Sequence, residues 1–139
     1  MMKSSPFEQE LATQVASYDG PHAKAIQLSP TVYACVVGLL NDPGTPQRMR
    51  LKLFAVMGYF VLADDLYPES VYGAEGFIDD VMLALTVISE VGEENGRSAL
   101  AAHWKSEVSE LANCLDEYLP AMIEERYDLY QRVMDYMGF

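Results

Sequence analysis

Apolar residues recur along most of this chain at intervals of three and four, the period of an amphipathic α-helix. Phe7, Leu11 and Val15 form the first stripe. It follows Ser5, Pro6 and Glu8, which read as a capping box with proline at the first helical position. Gly20 and Pro21 are expected to end this helix. A second stripe, Val32, Cys35, Val36, Leu39 and Leu40, starts behind a Ser29-Pro30 cap pair and stops at Asn41-Asp42-Pro43-Gly44. Thr45 and Pro46 open a third helix, 46–63. After Lys52 it is apolar all round, the pattern of a helix buried on every side. A fourth apolar run, 77–91, reads as its hairpin partner. Residues 92–98 read as a polar turn. Ser98 then caps a helix with Leu100, Trp104, Val108, Leu111 and Leu115 on one face, which Pro120 kinks or ends. Met122, Ile123, Tyr127, Tyr130, Val133, Met134 and Met137 continue to the C-terminal end. No alternation of period two marks a strand. The pattern predicts an all-α fold, a single compact domain over 1–139, with five or six helices around a central apolar helical hairpin.

Composition sharpens this picture. Half of the 139 residues are hydrophobic, which excludes disorder as a global description. Cys35 and Cys114 lie in apolar helical context without CxxC spacing, and read as buried free thiols of a reducing compartment. The N-terminal segment lacks the apolar core of a signal peptide. No run approaches the roughly 18 continuous apolar residues of a membrane span. The expectation is a soluble, cytoplasmic protein.

The net charge of −12 is unevenly spread. Residues 62–96 carry nine acidic side chains and no basic one. Such a surface repels phosphate backbones, which argues against nucleic acid, and attracts cations or a basic protein groove. The stretch Ala63–Asp80, ADDLYPESVYGAEGFIDD, contains six of these acids between two apolar runs.

Residues 39–85 around that stretch resemble the YkvA-like family, a helical domain of uncharacterised function found mostly in bacteria. The resemblance rests on Asp65, Leu66, Tyr67, Pro68 and Glu69, then on Gly76, Phe77, Ile78, Asp79 and Asp80. Leu39, Leu40, Asp42 and Pro43 are similar to the family's upstream block. It implies a family-like core over 39–91 with helical extensions 1–30 and 98–139, and no established catalytic activity. Where the family has Pro-Ile or Pro-Val before the first acid, this chain has Ala63-Asp64, which disfavours the membrane-proximal placement of some members.

Three readings fit the acids. As structural elements, Asp65 caps a turn led by Pro68, Glu69 lies in that turn, Gly76 supplies unusual backbone geometry, and Asp79 and Asp80 occupy the next helix's first turn, where the macrodipole favours them. As ligands, Asp65, Glu69, Asp79 and Asp80 converge on a divalent cation, Mg²⁺, Mn²⁺ or Ca²⁺, since carboxylates crowded together need a cation or a shared proton. As a partner face, they meet basic groups, with Arg48, Arg50 or Lys52 of the same or another copy among the candidates. His22 and His103 stand alone in the sequence and read as surface or packed side chains. The series Tyr127, Tyr130, Met134, Tyr136, Met137 and Phe139 reads as core, with a dimer face as the alternative. The leading functional expectation is a non-enzymatic protein-interaction domain with an acidic hairpin tip, without a cofactor. Its partner is a protein with a basic surface or another copy, and a toxin-neutralising or immunity protein is one form. The alternative is a divalent-metal-dependent enzyme using the four carboxylates.

Overall fold

A computed structural model describes residues 6–61 and 73–139. Ser5 of the expected capping box lies outside them, as do Asp64, Asp65, Pro68 and Glu69 of the acidic stretch. The described residues are helical without strands, so the fold is all-α. They form α1 (Pro6–Val15), α2 (Ala23–Gln27), α3 (Ser29–Leu40) and α4 (Gln47–Val61). A 3₁₀ turn (Gly73–Phe77) leads into α5 (Ile78–Asn95), followed by α6 (Arg97–Ala101). The run α7 comprises Val108–Asn113, a π turn Cys114–Tyr118 and Leu119–Glu125, and α8 is Tyr127–Met137. That makes eight helices among the described residues, against the five or six expected.

The centre belongs to α5. Ile78 to Leu85, Val87, Ile88 and Val91 are all buried along it, and it packs against α2, α3, α4, α6, α7 and α8. The expectation of a central apolar hairpin is corrected here. Helix α4 does lie antiparallel to α5, as the pairs Arg48–Glu94, Lys52–Glu90 and Tyr59–Asp79 show. It is nevertheless an outer helix. Met49, Leu53, Val56, Tyr59 and Phe60 face the core, whereas Leu51, Phe54 and Val61 face outward. Apolar composition on every side therefore did not mean burial on every side.

Local chemistry explains where the element boundaries differ from the sequence pattern. Ser29 does not cap α3: its Oγ donates to the carbonyl of Ile26 at 2.5 Å, and the N-cap is Leu28. Thr45 Oγ1 likewise donates backward to the Leu39 carbonyl at 2.7 Å, and the amides of Met49 and Arg50 donate to the Pro46 carbonyl. Residues 92–95 extend α5, and the break comes at Gly96, whose φ of 89° a side-chain-bearing residue rarely adopts. The helix expected from Ser98 onward stops at Ala101. Trp104 is buried in the connection that follows, its Nε1 donating to the Glu107 carbonyl at 3.0 Å. Pro120 does not end its run, which continues to Glu125. It lacks an N–H for the carbonyl four residues back, and the π turn immediately before it accommodates that gap.

The unusual backbone angle expected at Gly76 occurs at Gly73, with φ 65°. Gly76 is buried within the 3₁₀ turn. Gly73→Val is expected to destabilise the protein by about 1–2 kcal/mol, the cost of forcing a β-carbon into the left-handed region. Urea denaturation reads this directly, and an unchanged midpoint would show that the turn relaxes to an ordinary conformation.

Candidate functional site

Of the six acidic-motif residues, Gly76, Asp79 and Asp80 fall among the described residues, and Asp65, Pro68 and Glu69 do not. Asp79 and Asp80 lie in the first turn of α5, where exposed amides and the helix dipole favour negative charge. Neither is the N-cap, a position Phe77 holds without a side-chain bond. Both aspartates are fully buried. The Tyr59 hydroxyl, on α4, donates to Asp79 Oδ2 at 2.5 Å. These two acids therefore serve the interior and cannot form the outer face of an acidic tip. Glu75, half-buried, pairs with Arg126 at 3.5 Å. No group of three or more His, Cys, Asp or Glu among the described residues is arranged to hold a metal ion.

Two of the three basic side chains of α4 find partners at the far end of α5. Arg48 pairs with Glu94, and Lys52 reaches Glu90 at 2.8 Å. Arg50 donates to the backbone carbonyl of Asp42 at 2.8 Å. Antiparallel packing brings the C-terminal acids of α5 beside cations that oppose the dipole at the start of α4.

A constellation that sequence reading missed joins residues 61 positions apart. His103 Nε2 lies 2.8 Å from Asp42 Oδ2, and the amide of Gly44 donates to Asp42 Oδ1 at 2.8 Å. The other ring nitrogen, Nδ1, lies over Gly38, at 2.6 Å from where a β-carbon would sit. Glycine at 38 is what admits the imidazole. The pair borders a cavity of about 690 Å³ with Glu8, Val37 and Lys105 in its lining. An imidazole oriented by a carboxylate is a proton-transfer arrangement when its second nitrogen faces a substrate. Here that nitrogen faces helix α3, so the ring ties the α3–α4 loop to the connection after α6. The hydrogen bond from His103, then that from Gly44, holds the Asp42 carboxyl below the usual carboxylate range. A depressed carboxyl stabilises the fold above its unfolded value and loses that contribution as pH falls through its folded value. The melting difference between wild type and His103→Ala is therefore expected to shrink as pH falls through the acid range. NMR titration should show Asp42 moving upward in the variant, and an unmoved Asp42 would remove the tie.

His22 also has a carboxylate neighbour, Glu125, at 3.0 Å. Both histidines that stand alone in the sequence thus meet an acid in space. Cys35 and Cys114 are buried free thiols, each pushed up to about 12 chiefly by burial, which leaves them protonated and unreactive at neutral pH. No described helix is long and apolar enough to cross a membrane.

Residues 49–86, covering α4 to the middle of α5, match a family described as "Protein of unknown function (DUF1232)". The YkvA-like name is not confirmed by this match, although its segment overlaps residues 39–85 of the resemblance. The chain is similar to "Uncharacterized protein ORF9" of Methanothermobacter thermautotrophicus, 29% identical over 102 residues, which span 73% of this chain and 67% of that protein. No solved structure matches.

Proposed function

We propose that the chain is a cytoplasmic, non-enzymatic protein-interaction domain that engages a basic protein surface. The observation that carries this reading is the placement of charge on the C-terminal helices. From Glu107 to Asp135 there are eight acidic side chains against two basic, and seven of the eight acids are exposed. Burial of Asp79 and Asp80 shifts the contact surface away from the start of α5. Asp65 and Glu69 remain part of the proposed face by sequence alone. A surface of one sign steers an oppositely charged partner and makes association depend on salt. Neutralisation of a toxin with a basic cleft is one specific form of this role.

The test is calorimetric titration with the basic proteins encoded beside its gene, at low and high salt. One of them should bind stoichiometrically, more weakly in salt, and not at all to the Glu124→Lys/Asp128→Lys/Asp135→Lys variant with its circular dichroism unchanged. Binding insensitive to those substitutions would overturn the reading. So would a rise of several degrees in melting temperature with micromolar Mn²⁺ or Ca²⁺ that Asp79→Asn abolishes, which would favour the metal-dependent alternative.

A further inference from the structure

The cavity of about 690 Å³ beside His103 and Asp42 draws its lining from three separate segments. One face of α3 supplies Ala34, Val37, Gly38 and Asn41, at steps of three, one and three. Gly38 takes the edge of the His103 ring, and Ala34, one turn earlier, projects only a methyl group. Helix α1 contributes Glu8, and the end of α6 with its following connection contributes Ala102 and Lys105. The volume lies within the roughly 300–1,000 Å³ of ordinary ligand pockets. The frame is held by the chain's own bonds. Asn41 Nδ2 donates to the Val37 carbonyl at 2.9 Å, and Arg50 donates to the Asp42 carbonyl at 2.8 Å. His103 and the Gly44 amide engage the Asp42 carboxylate. Glu8 and Lys105 line the same hollow with opposite charge, and they do not pair with one another. Lys105 is exposed and pairs with no carboxylate among the described residues.

From this arrangement we infer that the cavity binds a small zwitterion with an apolar body, of the size of a free amino acid or a dipeptide. The ligand's carboxylate meets the Lys105 ammonium, its ammonium meets the Glu8 carboxylate, and its apolar body lies against Ala34, Val37 and Ala102. The other charge types fit less well. An anion faces the carboxylates of Glu8 and Asp42 in a chain of net charge −12, which repels it. A cation leaves Lys105 opposed rather than paired. A neutral apolar molecule displaces water from Glu8 and Lys105 without replacing its hydrogen bonds, which costs free energy. A ligand with both charges satisfies both groups, and charge-assisted hydrogen bonds are the strong ones. His103 is a positioning residue here. Tied to Asp42 and seated over Gly38, it holds the connection that carries Lys105 beside α3. This inference goes beyond the proposed basic partner and involves other residues, so either can fail without the other.

Two-dimensional NMR of the full chain, titrated with leucine and with leucyl-leucine up to millimolar concentration, tests it. At least one of them should shift the amides of Val37, Gly38, Asn41 and Lys105 saturably. 4-Methylpentanoate lacks the ammonium and 3-methylbutylamine lacks the carboxylate. Each should bind about tenfold more weakly than leucine or worse, the loss of one charge-assisted hydrogen bond. Lys105→Met should weaken the zwitterion by a similar factor and leave the amine unaffected, a split that a merely structural loss does not produce. Glu8→Gln should weaken the zwitterion and leave the acid unaffected. Ala102→Trp, at an exposed position on the wall, should fill the hollow and abolish binding with circular dichroism and melting temperature unchanged. Absence of saturable shifts with both zwitterions overturns the inference. So does an acid or an amine that binds as well as leucine, and so does binding that survives Lys105→Met and Ala102→Trp undiminished.

Discussion

Asp79→Ala is expected to destabilise the protein by about 3 kcal/mol, because it removes one partner of a buried hydrogen bond between two helices. The bond is between the Tyr59 hydroxyl and Asp79 Oδ2, both in buried residues, and it joins α4 to the start of α5. Asp79→Asn should cost less than Ala, since the amide oxygen still accepts from the hydroxyl. Tyr59→Phe should cost about 1–2 kcal/mol on the same grounds. The informative measurement is the double-mutant cycle of Tyr59→Phe and Asp79→Ala by urea denaturation. Strictly additive losses would mean that the two side chains do not act on one another.

Leu85→Ala should be comparably severe, at about 3 kcal/mol, from lost burial and the cavity left behind. Leu85 is fully buried on α5, whose neighbours close around it on all sides. Val108→Ala serves as the contrast. Val108 belongs to the same kind of apolar stripe in the sequence, yet it is 61% exposed at the start of α7. Its truncation should stay within about 0.5 kcal/mol. Equal losses at the two positions would contradict the assignment of α5 as the central helix.

The helical class and most core positions were legible in the sequence because burial of one face imposes a period. Leu11 and Val15, Val32, Cys35, Val36 and Leu39, and Leu111 with Leu115 lie in the core as their spacing indicates. The boundaries were less legible. Ser29 and Thr45 each look like caps, but a hydroxyl can donate backward as readily as it accepts forward, and only the fold decides. Helix α2 has five residues and follows His22 in a left-handed conformation, too short a segment to show a period. The break after Ala101 contains neither glycine nor proline, and Trp104 helps fix it by bonding the Glu107 carbonyl. The sites were legible least of all. Asp42 and His103 carry no local signal of their pairing, because it is made by loops that tertiary packing brings together. Asp79 and Asp80 were readable as first-turn acids, but their withdrawal from solvent depends on Tyr59 and the surrounding helices.

The position of α5 in the chain governs when the protein can fold. Helices α1 to α4 are made first, and Val36, Leu53 and Val56 have no complete enclosure until α5 has been synthesised. During translation the first half therefore waits with apolar faces uncovered, the condition in which nascent chains attract chaperones or one another. Once residue 95 clears the ribosome, one helix supplies the common wall for elements both before and after it. A chain stopped before α5 should remain unfolded, because the helices made before it lack their common wall.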